Sequence, residues 1–496
     1  MKKKKSITTV LLLLLFTITA VAQDIVVQRG CRVGKPRPEG MALRRGAAGG
    51  QTKQTGGDFY YGERHQLTVL VAFNERDFKE DEDATLAQWN LIFNAKDLTE
   101  APFKGSVRDY FYAQSYGNFD LTFDLVYVKV SGKVEKYAST QADDENSQYL
   151  VEDIMEVLKT RNIDWSLYDW NGDGFVNQLL IVYAGHGMND YSGDNLIWPH
   201  QWWMSEHLKD GQKGVYCDPI PVTYNDKKYK VDCYCALAEL TANNDYGSFG
   251  TICHEYTHCF GFPDFYSNKS YVGNWELMDS GNYNGDGYCP VGYSAHERWM
   301  MGWLTPTELK ETTTITNMPA LSDEPQAYLI RNDGHQDEYY MVENRQQKGW
   351  DASIPGNGIT VFHVDYVPDL WVSVTDYVNK NSRQHYLIFP ANNQTSTSSY
   401  YANNWAYPYL ENNALTNTST PAAVLWNENT DGSKLMNKPL TNMSVTNGLA
   451  SFTLTAGPSA IDDVSVSKDS YEVLYRQGAL SIVRLPNGEV RKVMMK

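Results

Sequence analysis

Four side chains within residues 251–264, Thr-Ile-Cys-His-Glu-Tyr-Thr-His-Cys-Phe-Gly-Phe-Pro-Asp, have the types and spacing to hold a metal ion and move a proton. His254 and His258 stand four apart. On a helix that spacing puts both imidazoles on one face, about one turn apart, within reach of a single ion. Glu255 follows the first imidazole and can take a proton from a water that the ion activates. Gly261 tolerates positive φ and can end the helix in a sharp turn, and Phe262-Pro263 disfavours its continuation. Asp264, ten residues after His254, can then swing back as a third ligand. Three protein ligands with one position left open describe a catalytic zinc site, whereas structural sites are usually closed by four.

These residues need a helix under them and a sheet behind it. Residues 66–73 form an apolar, strand-like run, and residues 119–130 alternate in the manner of strands. Residues 106–116 read as a helix capped by Ser106 and stopped by Gly117, and residues 146–160 carry an apolar helical stripe. The run 179–184, Leu-Leu-Ile-Val-Tyr-Ala, or the one beside it, is the expected edge strand that pairs with an extended substrate. Downstream, Met278 lies in a turn that can sit beneath the metal ligands, and Tyr283 is a candidate to stabilise a transition state. A helix over residues 294–303 closes this part of the chain. Two further motifs compete for metal. Asp169, Asn171 and Asp173 place oxygen donors at alternate positions before a Gly turn, the first half of a calcium loop, although Leu180 stands where the loop's closing Glu belongs. An acidic surface turn is the plainer reading. His186 and His200 are lone histidines, which more often serve structure than metal.

The chain of 496 residues carries a net charge of −17, which argues against nucleic acid or an anionic membrane as its main partner. Four lysines, an apolar stretch and Ala20-Val21-Ala22 predict a signal peptide over residues 1–22 and export of the rest. Residues 23–57, rich in Arg, Lys and Gly, read as a pro-segment. Its Cys31 is a candidate latency ligand for the open metal position; an unpaired leader cysteine is the alternative. The other six of the seven cysteines, Cys217, Cys233, Cys235, Cys253, Cys259 and Cys289, cluster around the metal motif and can form three disulfides. The expected organisation is a catalytic domain over 58–305, a β-rich, sandwich-like domain over 306–455 and a β tail over 456–496 that can serve as a sorting segment.

The extended spacing H-E-x-x-H-x-x-G-x-x-D resembles that of metzincins, with Asp264 where many members have a third His. With Asp169 to Gly187, Ile197-Trp-Pro-His200, Trp275 to Gly281 and Tyr339-Tyr340-Met-Val-Glu343-Asn344-Arg345, the chain resembles the immune inhibitor A-like family of secreted zinc metallopeptidases. The resemblance implies an α+β, zincin-like catalytic domain followed by a β-rich one, zinc and calcium as cofactors, a pro-segment, and protein substrates attacked by a monomer outside the cell. Within it Glu276 and Glu297 rival Asp264 as third ligand. The expected reaction is peptide-bond hydrolysis without a covalent intermediate, with Glu255 as general base and later as proton donor to the leaving amine. A non-catalytic surface binding protein on the same scaffold is the rival class; the intact Glu255 argues against it.

Overall fold

The computed structural model describes residues 60–138, 146–189, 191–247, 249–266, 271–372, 378–379, 383–394 and 404–456, with short strands at 25–26, 44–45, 472–477, 480–484 and 490–494. The signal peptide and Cys31 lie outside the described residues.

A five-stranded sheet carries the metal motif. Its strands are β1 (Gly62–Ala72), β2 (Phe119–Lys129), β3 (Leu179–His186), β4 (His200–Trp203) and β5 (Cys233–Leu240), in the order β2-β1-β3-β5-β4. The first four in that order run parallel; β4 alone is antiparallel, pairing Trp203 with Cys233 and His200 with Ala236. Parallel strands need crossovers, and helices supply them: α1 (Glu82–Asn94) and α2 (Val107–Gln114) precede β2, and α3 (Ser147–Leu158) precedes β3. Ser106 caps α2 in a capping box with Asp109, satisfying amides that have no partner in the helix. The result is a mixed α/β arrangement.

The expected substrate strand is corrected here. β3 is flanked by β1 and β5, so neither β3 nor its neighbours offers a free edge. Its run of six apolar residues is buried on both faces, the pattern of an interior parallel strand. The edge on the side of the metal helix is β4.

The β-type runs between residues 306 and 455 pair into two sheets. β6 (Thr313–Met318), β11 (Leu440–Thr446) and β12 (Leu449–Leu454) form one, in the order β6-β12-β11. The other holds β7 (Tyr328–Asn332), β8 (His335–Arg345), β9 (Gly358–Asp365) and β10 (Tyr386–Ile388), with Thr307–Glu308 at its edge. Alternation along β8 and β9 explains why β9 is buried throughout and β8 from Glu338 onward. Tyr339, Met341, Phe362 and Val364 join the core of the metal-bearing part, while Tyr340, Val342, Ile359 and Val361 join a second core under the three-stranded sheet. The last three strands, Glu472–Gln477, Leu480–Arg484 and Val490–Met494, form an antiparallel meander.

Candidate metal centre

The metal motif folds as α4 (Phe249–Cys259), buried along its whole length. Its far face is tied to the sheet through Tyr256, whose hydroxyl donates to Gln66 Oε1 at 2.8 Å and accepts from Gln178 Nε2 at 3.0 Å. At Gly250 the helix touches the turn at residues 280–287: a Cβ there would overlap the Asn282 carbonyl. Gly261, at φ +93°, ends the helix and reverses the chain, as its position in the motif predicts.

That reversal brings Asp264 back to the imidazoles. Its Oδ1 lies 3.2 Å from His254 Nε2 and 3.3 Å from His258 Nε2. An ion held at about 2.0 Å by four tetrahedral ligands needs ligand atoms about 3.3 Å apart, the separation of Asp264 Oδ1 from each imidazole nitrogen, and all three donors lie within 4.8 Å of one another. Asp264 Oδ1 is buried and its lone pairs face the two imidazole nitrogens, where all three atoms can share one ion. The opposite ring nitrogens fix the tautomers. His254 Nδ1 donates to the Leu277 carbonyl at 2.8 Å and His258 Nδ1 to the Phe262 carbonyl at 2.7 Å, which leaves both Nε2 lone pairs facing inward. Without metal the trio behaves as an ion pair. Burial alone would lower His254, but the hydrogen bond to Asp264 and the charges of Glu255 and Asp264 outweigh it and raise its pKa to about 9. For Asp264 burial pulls upward, and the facing His258 and His254 bring it well below the usual carboxylate range.

Among the described residues this is the one group of three His, Cys, Asp or Glu side chains close enough to share an ion. Glu276 and Glu297 stand outside it. Met278 is fully buried in the turn beneath the site: its carbonyl accepts from Phe265 N at 2.8 Å, beside the Leu277 carbonyl that orients His254. Glu255 is 5% exposed, next to the first ligand. Tyr283 is 54% exposed in the turn that abuts α4.

The other expectations fare differently. His186 bonds the Thr241 carbonyl and stacks on Tyr191, and His200 bonds the Trp198 carbonyl and Tyr234, the structural roles usual for lone histidines. The calcium loop is not supported. Asp169 accepts from the amides of Asp173 and Gly174, Asp173 from that of Phe175 and from Asn171 Nδ2, so the oxygens close the loop on itself as an acidic turn. The expected disulfides are absent among the described residues, where all six cysteines are thiols. Burial raises the pKa of Cys253 and Cys259, as in inert core thiols. A cavity of about 870 Å³ beside Arg108 and Asp120 shares no residue with the metal group. We place the chemistry at the metal group, because the cavity lacks convergent ligand atoms.

Two features escape a residue-by-residue reading. The Leu277 and Phe262 carbonyls are backbone atoms, invisible to residue type. Tyr266, two positions past Asp264, lies with its ring 6.4 Å from that of His254 and is half-buried at the site; an aromatic so close to the third ligand was the available signal.

Residues 70–304 match the family of the immune inhibitor A peptidase M6 catalytic domain. A comparison with curated proteins gave no match.

Proposed function

We propose, on the premise of the match of residues 70–304 to the immune inhibitor A peptidase M6 catalytic domain, that the chain is an exported, zinc-dependent endopeptidase acting as a monomer on protein substrates. The observation that carries the reading is the convergence of His254 Nε2, His258 Nε2 and Asp264 Oδ1 beside Glu255. Two imidazoles and a carboxylate suit zinc, and they leave a fourth position for water. When bound, zinc lowers the pKa of water and polarises a carbonyl. Everything else falls to the chain. Asp264 and the two imidazoles hold the ion, and the Leu277 and Phe262 carbonyls hold the imidazoles. Glu255 takes the proton of the attacking water and delivers it to the leaving amine. Tyr283 is the candidate donor to the developing oxyanion. Zincin-like architecture of the metzincin type fits the four parallel strands with one antiparallel edge. No described helix is long and apolar enough to cross a membrane, and the N-terminal signal supports export.

The test is Glu255→Ala. It should keep one zinc per chain by elemental analysis and lose casein cleavage by at least about a hundredfold. Undiminished cleavage removes Glu255 from the mechanism. A chelator-insensitive wild type would return the chain to the binding-protein class.

A further inference from the structure

The two carboxyls that rivalled Asp264 are not ligands, but they are fully buried and meet each other in hydrogen-bond contact. Glu276 Oε2 receives the Tyr386 hydroxyl at 3.3 Å, and Glu297 Oε2 receives the Ser294 amide at 2.8 Å and its hydroxyl at 3.2 Å. Each keeps one buried oxygen, Glu276 Oε1 and Glu297 Oε1, to which no protein group donates. Two facing carboxylates without donors would be mutually repulsive in a dry site. A single proton between them satisfies both.

The cation whose charge reaches both carboxyls, Arg345, is bound elsewhere and does not replace that proton. On β8, Arg345 is already engaged by Glu343 at 3.0 Å and Asp351 at 2.7 Å. On α5 (Ala295–Met300), Arg298 turns to Gln114 Oε1 and the Tyr293 carbonyl. His296, whose pKa burial lowers to about 3, is neutral and bonds Tyr339. Tyr386 on β10 and Tyr110 on α2, both held above the ordinary phenol range by burial, stay uncharged.

We propose that Glu276 and Glu297 share one proton as a carboxylic acid–carboxylate pair, and that this pair is a positioning device for the metal centre. Glu276 precedes Leu277, whose carbonyl orients His254, and its own carbonyl accepts from Gly281 N at 2.9 Å to close the turn around Met278. The pair therefore pins that turn to α5. The proposal rests on the metal-centre reading above for its functional consequence, but the proton itself can be read without metal or activity.

The probe is Glu276→Gln, which carries the donor hydrogens permanently, beside Glu276→Ala, in the full chain. In a Glu255→Ala background at neutral pH, infrared difference spectra should show a protonated carboxyl that Glu276→Gln abolishes. Because the folded protein keeps a proton that the unfolded chain releases, wild-type stability should fall as the pH rises above the ordinary carboxyl range, whereas that of Glu276→Gln should fall less, so their melting temperatures diverge with pH. Glu276→Ala should weaken zinc binding on the order of tenfold, and Glu276→Gln should restore it. No carboxyl band, or a Glu276→Gln melting curve parallel to the wild type's at every pH, overturns the shared proton. A band with unchanged zinc affinity in Glu276→Ala overturns the positioning role. Failure of the wild type to bind zinc would count against the metal-centre reading alone, since the band and the melting curves are read without it.

Discussion

At the scale of single residues, Asp264 Oδ1 facing two buried imidazole nitrogens governs both what the group can bind and how it titrates. The convergence of His254, His258 and Asp264 was legible because each is a side chain at a spacing that a helix and a glycine bend convert into proximity. Tautomer control was not legible, since it comes from carbonyls of Leu277 and Phe262 that any residue would provide. The metal-free trio has a consequence for pH. The raised His254 pKa stabilises the folded metal-free state fully below the ordinary imidazole value, near 6.5, and this contribution is lost as pH rises through about 9. Asp264, depressed, keeps its contribution until the solution is more acidic than its ordinary range. Chelated protein should therefore melt at falling temperatures across pH 9, while the zinc-loaded protein should not respond there. Zinc uptake at neutral pH should release about one proton, measurable by calorimetry in buffers of different ionisation enthalpy. Asp264→Ala should lower zinc affinity by more than about a hundredfold without unfolding the chain, read by equilibrium dialysis and circular dichroism.

At the scale of elements, helices and strands with strong local signals lie close to where the sequence places them. Ser106 and Ser294 cap α2 and α5 as their types predict, each with an acidic residue three positions on. Strand location was legible too, but strand neighbours were not. Whether Leu179-Leu-Ile-Val lies inside the sheet or at its edge depends on where Cys233–Leu240 inserts, a pairing across more than fifty residues. The two glycines that set α4 test this level. At Gly261 an alanine must adopt positive φ, which should cost about 1–2 kcal/mol and displace Asp264. At Gly250 an alanine must push the helix off the Asn282 carbonyl, for about 1–3 kcal/mol. Both variants should melt earlier by denaturant titration and lose casein cleavage more steeply than stability. Wild-type stability in Gly250→Ala would mean that the helix and the turn at 280–287 do not touch.

At the scale of the molecule, the sequence divides near residue 305, where helix signals fade, yet the main apolar core runs past that point. It takes in Leu321, Met341, Phe362, Trp371 and Tyr386 alongside Phe262, Phe265, Met278 and Tyr293. Composition shows a change of secondary structure; it does not show that the new strands present one face to the old core. Polar contacts cross the same boundary. Arg345, fully buried, binds Glu343, Asp351 and the Gly292 carbonyl just ahead of α5, and Phe265 packs against Tyr386 with ring centroids 4.2 Å apart. Removing one member of such a buried charge network leaves the others unpaired and should cost about 3–5 kcal/mol. A chain ended at residue 305 removes Arg345 and also exposes the aromatic wall behind Asp264. We expect that truncated chain to be recovered only as aggregate or as a state without near-ultraviolet ellipticity, and to bind zinc no better than the unfolded full-length chain. The full-length Arg345→Met variant, which keeps apolar volume and loses the charge, should fold with a lowered melting temperature and retain part of its casein cleavage. Cooperative unfolding and zinc-dependent proteolysis by the 305-residue fragment would show instead that the strands after residue 305 form an independent unit, with the shared core only an interface between two self-sufficient parts.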